Sequence, residues 1–155
     1  IIVNLQGDEP LMPVANLEQV SALLGRYKTA SIATLYEPIT SKEQFVDASV
    51  VKVVGDASGR AQYFSRAPIP HVRDPMGEKC PQDARRHIGL YAYRVSYLDD
   101  FASQPVAPYE HLESLEQLRA LHCGHEIRIA QAREVVPAGV DTPADLEAVR
   151  ALMAT

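Results

Sequence analysis

The sequence has only two cysteines and no long apolar run. A membrane-spanning helix needs roughly 20 consecutive apolar residues, and the N-terminus lacks the basic and then apolar order of a secretory signal. Cys80 and Cys123 belong to no CxxC pair and no Cys/His cluster, so neither a disulfide framework nor a zinc site is indicated. The sequence therefore predicts a soluble cytoplasmic protein with two reduced, structural thiols.

Several familiar motifs are also missing. No nucleophile elbow, P-loop or dinucleotide-binding glycine pattern occurs, which weakens the hydrolase, NTPase and dehydrogenase interpretations. His111, His122 and His125 show no consistent metal-ligand spacing. The net charge of -5 argues against general nucleic-acid binding, because that binding is driven by clustered cations.

The chain has enough apolar material for one core of ordinary size, with 155 residues and a hydrophobic fraction of 46%. We therefore expect residues 1–155 to form one domain or part of one. The chain opens on Ile1, Ile2 and Val3, an apolar run that is typical of a buried strand. Because nothing leads into this strand, we expect that a preceding portion of the domain is missing.

Strand and helix signals alternate along the chain. Strands are predicted at 1–5, 29–35, 50–54, 61–65, 88–93 and 127–130. Helices are predicted from Pro13 to Gly25, after an N-terminal cap at Ser41, at 97–102 and 109–122, and after an N-terminal cap at Thr142. The strands at 50–54 and 61–65 flank a turn at 55–59 and predict a β-hairpin. This order predicts a three-layer α/β fold with a mixed sheet and a protruding hairpin.

The helix predicted at 109–122 has two different sides. Its leucines lie on one side, and a polar side carries Glu113, Glu116 and Gln117. Such a polar side is either a solvated surface or a binding surface for sugar hydroxyl groups.

Positive charge is concentrated between Arg66 and Arg94, within a proline-rich stretch. Arg66, Arg73 and His87 are candidates for binding the carboxylate of a sugar acid or the phosphates of a nucleotide, since arginine offers bidentate geometry. The alternative is a solvated basic loop.

Two aspartates occupy turns next to helix starts. In α/β sheets, ligands bind where strands end and helices begin, and Mg²⁺ takes one or two protein carboxylates there. Asp8 follows the first strand, and Asp141 precedes the last helix. The alternative is that Asp8 only forms a turn and that Asp141 only belongs to a helix cap.

Five ordered segments resemble the CMP-Kdo synthetase family, the 3-deoxy-manno-octulosonate cytidylyltransferases. They are 5–10 (LQGDEP), 63–66 (YFSR) with the following Ile-Pro, 86–94 (RHIGLYAYR), 112–119 (LESLEQLR) and 139–146 (GVDTPADL). The resemblance covers essentially the whole chain. It implies a Rossmann-like nucleotidyltransferase fold, of which this chain is the C-terminal part.

The resemblance also implies an activity and its residues. CTP and 3-deoxy-D-manno-octulosonate (Kdo) would give CMP-Kdo and pyrophosphate for lipopolysaccharide assembly, with Mg²⁺ held by Asp8 and Asp141. Asp8, Asp141 and Arg66 would be catalytic. The sugar-acid pocket would be lined by Gln6, Arg66, Arg73, His87, Tyr91, Glu113, Glu116 and Gln117. A homodimer is implied as well.

The sequence departs from the family at its start, because the basic loop that holds the CTP phosphates has no counterpart here. We therefore expect no synthetase activity from this polypeptide alone. One alternative function is that of another sugar nucleotidyltransferase, such as a CMP-sialic acid synthetase, or of a related glycosyltransferase. A second alternative is an inactive fragment with a structural or dimerisation role.

Overall fold

A computed structural model describes residues 1–73, 80–137, 139–140 and 142–153. The strands are β1 (Ile2–Asn4), β2 (Ile32–Pro38), β3 (Lys52–Gly55), β4 (Ala61–Ser65), β5 (Arg85–Tyr93) and β6 (Ile127–Gln131). The helices are α1 (Val14–Arg26), α2 (Lys42–Val46), α3 (Val95–Phe101), α4 (Pro108–Glu113), α5 (Gln117–His122) and α6 (Pro143–Met153). None of the helices in these ranges is long and apolar enough to cross a membrane.

The six strands form one mixed sheet. Its order is β4-β3-β5-β2-β6, and β1 also pairs with β5. The β2–β6 pair is parallel, whereas β5 is antiparallel to β1, β2 and β3. The predicted α/β fold with a mixed sheet is therefore confirmed.

Strand β5 is central to the sheet and separates two cores. Ile88, Leu90 and Ala92 face α1, where they pack with Val20 and Leu24. Alternate residues of β5 point to the opposite face, which is covered by α3 and α5. This alternation places one row of β5 side chains on the face that carries the cleft described below.

One edge of β5 is shared by two short strands. β1 pairs at 91–93 and β3 pairs only at Arg86, while β2 follows the whole opposite edge. In the part of the chain that the structure describes, no strand pairs with the β5 residues between them on that edge. The same segment contains a β-bulge, because Thr34 pairs with Tyr91 whereas the next residue, Leu35, pairs with Ile88. Two residues are thus inserted into β5, and the alternation of its side chains is preserved.

The predicted β-hairpin consists of β3 and β4, and its turn lies against the far edge of the sheet. The backbone N–H of Ile129 in β6 donates to Gly59 O at 2.8 Å. Arg60 forms an isolated antiparallel bridge with Arg128. The hairpin therefore brings β4 close to β6 across the sheet face.

The prediction of a single helix at 109–122 is wrong. Ser114 adopts a left-handed conformation with φ 53°, which ends α4 and separates it from α5. Leu112 is consequently 83% exposed, although the helical pattern assigned it to the core, and Ala120 is fully buried, although the pattern assigned it to the polar side. A backbone reversal at one serine changes which side chains face the sheet.

Two predicted helix caps are confirmed. The hydroxyl of Ser41 accepts from the backbone N–H of Gln44, and that of Thr142 accepts from the backbone N–H of Asp145. Pro13 precedes α1 as its N-cap rather than lying in its first turn.

Candidate active site

A cleft of about 550 Å³ opens at the gap between β1 and β3 on the edge of β5. Its walls come from β5, from the turn after β1, from the segment before β3 and from the junction of α4 and α5. The lining residues are Asn4, Gln6, Asp8, Glu9, Ser49, Val50, Val51, Arg66, Arg86, His87, Gly89, Tyr91, Tyr93, Ser114, Leu115, Glu116, Gln117 and Gly139. The cleft thus brings together most of the site residues predicted from the sequence.

Arg66 supplies positive charge to this cleft. Its Nε donates to Glu113 O at 2.8 Å, and one Nη donates to Ala48 O at 3.1 Å. Both acceptors are carbonyl oxygens, and within the described residues no carboxylate forms an ion pair with this guanidinium. The charge of Arg66 is therefore fixed in direction and not neutralised, which suits it to bind an anion.

Arg86 also lines the cleft, but its charge is neutralised. Its guanidinium pairs with Glu37 at 2.5 Å, and the other oxygen of that carboxylate accepts from the backbone N–H of Val136 at 2.7 Å. An anion in the cleft is therefore attracted more strongly by Arg66 than by Arg86.

The three polar residues predicted on one helix side are divided by the break at Ser114. Glu116 and Gln117 line the cleft, and Gln117 is buried. The Glu113 carboxylate instead accepts from Ser65 Oγ at 2.6 Å and from the backbone N–H of Arg66 at 2.9 Å. Glu113 is not among the lining residues, so it holds Arg66 in position from behind the cleft wall.

Aromatic rings form the floor of the cleft along β5. His87 lies 5.3 Å from the Tyr91 ring, and Tyr91 stacks on Tyr93 at 5.5 Å. Burial raises the pKa of the Tyr91 hydroxyl well above its usual value. This tyrosine therefore enters the cleft as a neutral group that can donate or accept a hydrogen bond.

The expectation that His87 supplies a positive charge is wrong. Burial lowers the pKa of the His87 ring from 6.5 to about 3. The ring is therefore neutral at physiological pH, and its affinity for a proton is too low for it to act as a general base there.

The turn that carries Asp8 touches the segment before α6. The backbone N–H of Val140 donates to Asp8 O at 2.7 Å. A Cβ on Gly139 would lie only 3.0 Å from the same oxygen, a tight contact that favours glycine at this position. Asp141 itself lies outside the described residues. Among those described, no group of three or more His, Cys, Asp or Glu side chains is placed to hold a metal ion.

Arg73 is described and exposed, but it is not among the residues that line the cleft. Sequence reasoning missed other lining residues, including Asn4, Arg86 and Tyr93. The alternation of β5 could have identified Tyr93, because it shares a strand face with His87 and Tyr91. Asn4 and Arg86 depend on how β1 and β3 pair with β5, which the sequence pattern does not reveal.

Acidification is expected to destabilise the chain through His87. As the pH falls below 6.5, the unfolded chain binds a proton on this ring, whereas the folded chain does not do so until about pH 3. Between these values the free energy of unfolding decreases with falling pH, by about 1.4 kcal/mol per unit, or about 2 kcal/mol from about pH 7 to about pH 5. Urea denaturation at the two pH values measures this loss.

The control for this measurement is His87→Phe, which removes the titrating ring and is expected to abolish most of the loss. His111→Phe, at an exposed position, should retain the full loss. Equal losses in the wild-type chain and in His87→Phe would show that His87 titrates normally.

The mixed α/β sheet with a polar cleft at its edge is a nucleotidyltransferase fold, because a solved synthetase of that class has the same fold. Residues 1–127 match the family described as cytidylyltransferase, and the chain belongs to that family. The resemblance seen in the sequence motifs is confirmed by the comparisons that follow.

Two curated relatives bear the name 3-deoxy-manno-octulosonate cytidylyltransferase. The protein of Cellvibrio japonicus is 52% identical over 159 residues, which cover 99% of this chain and 62% of the relative. The protein of Saccharophagus degradans is 50% identical over 158 residues, which cover 97% of this chain and 62% of the relative. The chain therefore spans less than two thirds of the length of these relatives.

A solved structure is similar as well. CMP:2-keto-3-deoxy-manno-octonic acid synthetase, complexed with CTP, superposes with a TM-score of 0.87 at 39% identity. The match covers 98% of this chain and 61% of that one.

Proposed function

We propose that this chain forms the sugar-acid side of an enzyme that transfers the cytidylyl group of CTP to Kdo, giving CMP-Kdo and pyrophosphate. The observation that carries the proposal is the guanidinium of Arg66, which is fixed by carbonyl oxygens, unpaired with any described carboxylate and exposed to a polar cleft. A sugar acid has one carboxylate and several hydroxyl groups. The cleft offers the Arg66 cation for the carboxylate. For the hydroxyl groups it offers polar side chains, those of Gln6, Glu116, Gln117 and Tyr91.

In the proposed reaction, the anomeric hydroxyl oxygen of Kdo attacks the α-phosphorus of CTP. An O–P bond forms, the bond from the α-phosphorus to the bridging oxygen of the pyrophosphate breaks, and the hydroxyl proton is lost to solvent. Arg66 would hold the Kdo carboxylate and so orient the nucleophile. The neutral His87 and Tyr91 would bind sugar hydroxyl groups without adding charge.

Mg²⁺ would be held by Asp8 together with Asp141, and it would neutralise charge on the phosphate oxygens. The exposed position of the Asp8 carboxylate in the cleft fits this role, because Mg²⁺ keeps several waters and needs few protein ligands. The contact between Val140 and Asp8 O supports the pairing of the two segments.

Titration calorimetry of the 155-residue chain tests the sugar specificity. We expect Kdo to bind and N-acetylneuraminate, the sialic acid of the alternative synthetase, to bind at least tenfold more weakly. Asp8→Asn should leave Kdo binding without metal nearly unchanged and should remove any enhancement by Mg²⁺. Tighter binding of N-acetylneuraminate than of Kdo would favour a CMP-sialic acid synthetase instead.

Two further expectations from the sequence stay predictions. A homodimer would be detected by analytical ultracentrifugation of the purified chain. A cytoplasmic location would be detected by fractionation of cells that produce it.

A further inference from the structure

We propose that Thr34 is a positioning residue for the sugar-acid site: it fixes the proton of His87 on Nε2, so that Nδ1 accepts a hydrogen bond from a hydroxyl group of the bound sugar acid. The inference rests on the proposed function for the identity of the ligand. The part that concerns the His87 proton rests on the geometry alone.

The hydroxyl of Thr34 determines which ring nitrogen carries the proton. Thr34 is fully buried, and its Oγ1 lies 2.8 Å from Leu90 O, 3.1 Å from Ile88 O and 2.9 Å from His87 Nε2. Carbonyl oxygens can only accept, so the single hydroxyl proton of Thr34 is donated to them. Oγ1 is then left as an acceptor, and His87 Nε2 must carry the hydrogen that it receives.

The other ring nitrogen of His87 faces the cleft. The hydrogen bonds of the described residues give Nδ1 no protein partner. In the described part of the chain, Gln104 Oε1 is the one buried side-chain polar atom that has no hydrogen-bond partner. Because Nδ1 has no protein partner either and is not in that category, it is not buried. Since His87 lines the cleft, Nδ1 is open to the water that a ligand would displace. A neutral ring with the hydrogen on Nε2 presents a lone pair there.

The β-bulge makes this arrangement possible. Two residues of β5, Gly89 and Leu90, have no partner in β2, and the Thr34 hydroxyl binds the carbonyl groups on either side of Gly89. Bulges redirect side chains next to functional sites. Here the same hydroxyl stabilises the bulge and orients His87 through a single oxygen.

As a consequence, His87 selects a ligand group that donates a hydrogen bond. A neutral acceptor nitrogen favours a ligand hydroxyl group and disfavours a ligand carboxylate, which would place two lone pairs against each other. The carboxylate is therefore directed to Arg66, and a hydroxyl group is directed to His87. This division would determine which way the sugar acid lies in the cleft.

The tautomer is tested by long-range ¹H–¹⁵N NMR of the ligand-free chain at neutral pH. We expect His87 Nε2 to be protonated and Nδ1 to have the shift of an unprotonated nitrogen. In Thr34→Val, which keeps the side-chain shape but loses the hydroxyl, we expect a mixture of tautomers, whereas Thr34→Ser should retain the wild-type pattern. A proton on Nδ1 in the wild-type chain would overturn the proposal.

The role in binding is tested by calorimetry with Kdo. We expect Thr34→Val to weaken binding about tenfold, the effect of one hydrogen bond, and Thr34→Ser to weaken it less than about threefold. In a His87→Phe background, Thr34→Val should have little further effect. An equal effect in both backgrounds would mean that Thr34 acts only through packing and would refute the positioning role.

These measurements separate the two proposals. If the wild-type chain fails to bind Kdo, the proposed function fails, and with it the role of Nδ1 toward this ligand. The NMR result then still decides whether Thr34 fixes the His87 tautomer.

Discussion

Replacing Arg66 by alanine is expected to weaken Kdo binding to the 155-residue chain about 100-fold, because a bidentate, charge-assisted contact contributes about 3 kcal/mol and each tenfold in affinity is about 1.4 kcal/mol. The expectation follows from the surroundings of the guanidinium. It is oriented by two carbonyl oxygens and has no carboxylate partner among the described residues. An incoming carboxylate therefore displaces water rather than an existing ion pair. Titration calorimetry measures the change.

Two variants control for this experiment. Arg60→Ala removes the same side chain from a position outside the cleft, where it pairs with Glu126, and should leave Kdo affinity within about twofold. Arg66→Lys keeps the charge but loses the planar fork, so an intermediate loss is expected. Equal affinities of Arg66→Ala and the wild-type chain would remove the basis for a sugar-acid site in this cleft.

The second large effect is expected at Lys52, a lysine with no exposed surface. Its ammonium donates to three backbone carbonyl oxygens, those of Asp47 at 2.7 Å, Val50 at 2.5 Å and Arg66 at 2.6 Å. Burial lowers its pKa, while the charge of Asp47 opposes this shift. Lys52→Met leaves three carbonyl groups without their donor, and we expect the free energy of unfolding to fall by about 3 kcal/mol. Urea denaturation measures this loss.

Lys28→Met is the matched control, because Lys28 is exposed and its replacement should change the free energy of unfolding by less than about 0.5 kcal/mol. Lys52 also ties the end of β4 to the segment before β3, and both contribute walls of the cleft. Kdo binding should therefore weaken in Lys52→Met even under conditions where the variant is folded. Unchanged stability in Lys52→Met would show that the three carbonyl groups find water instead.

Short-range signals in the sequence predicted most elements of the fold. The hairpin turn at 55–59 and the caps at Ser41 and Thr142 depend on residues within a few positions of one another, and all are present. The prediction of one helix at 109–122 was wrong, because the leucine spacing continues through Ser114, whose left-handed conformation ends α4. The local pattern there favours a helix. Where the helix ends, the Glu113 carboxylate accepts hydrogen bonds from Ser65 and Arg66, which are distant in sequence.

The sequence predicted several residues of the candidate site but not their arrangement. Gln6, Arg66, His87 and Tyr91 were identified from motifs, and the structure brings them to one cleft. The prediction that His87 is charged was wrong, because its pKa depends on burial among residues that are distant in sequence. Glu113 was assigned to the pocket and proves to support Arg66 from outside it.

The sequence by itself determined the family, the order of strands and helices, and which side chains are available for chemistry, because these depend on local spacing and on motifs that are contiguous. Only the tertiary structure decided which of them act together. The gap on the edge of β5, the charge of Arg66, which no described carboxylate pairs, and the hydrogen bond between Thr34 and His87 all depend on segments that are far apart in the chain. Such contacts are set by sheet pairing and burial, which no local pattern encodes.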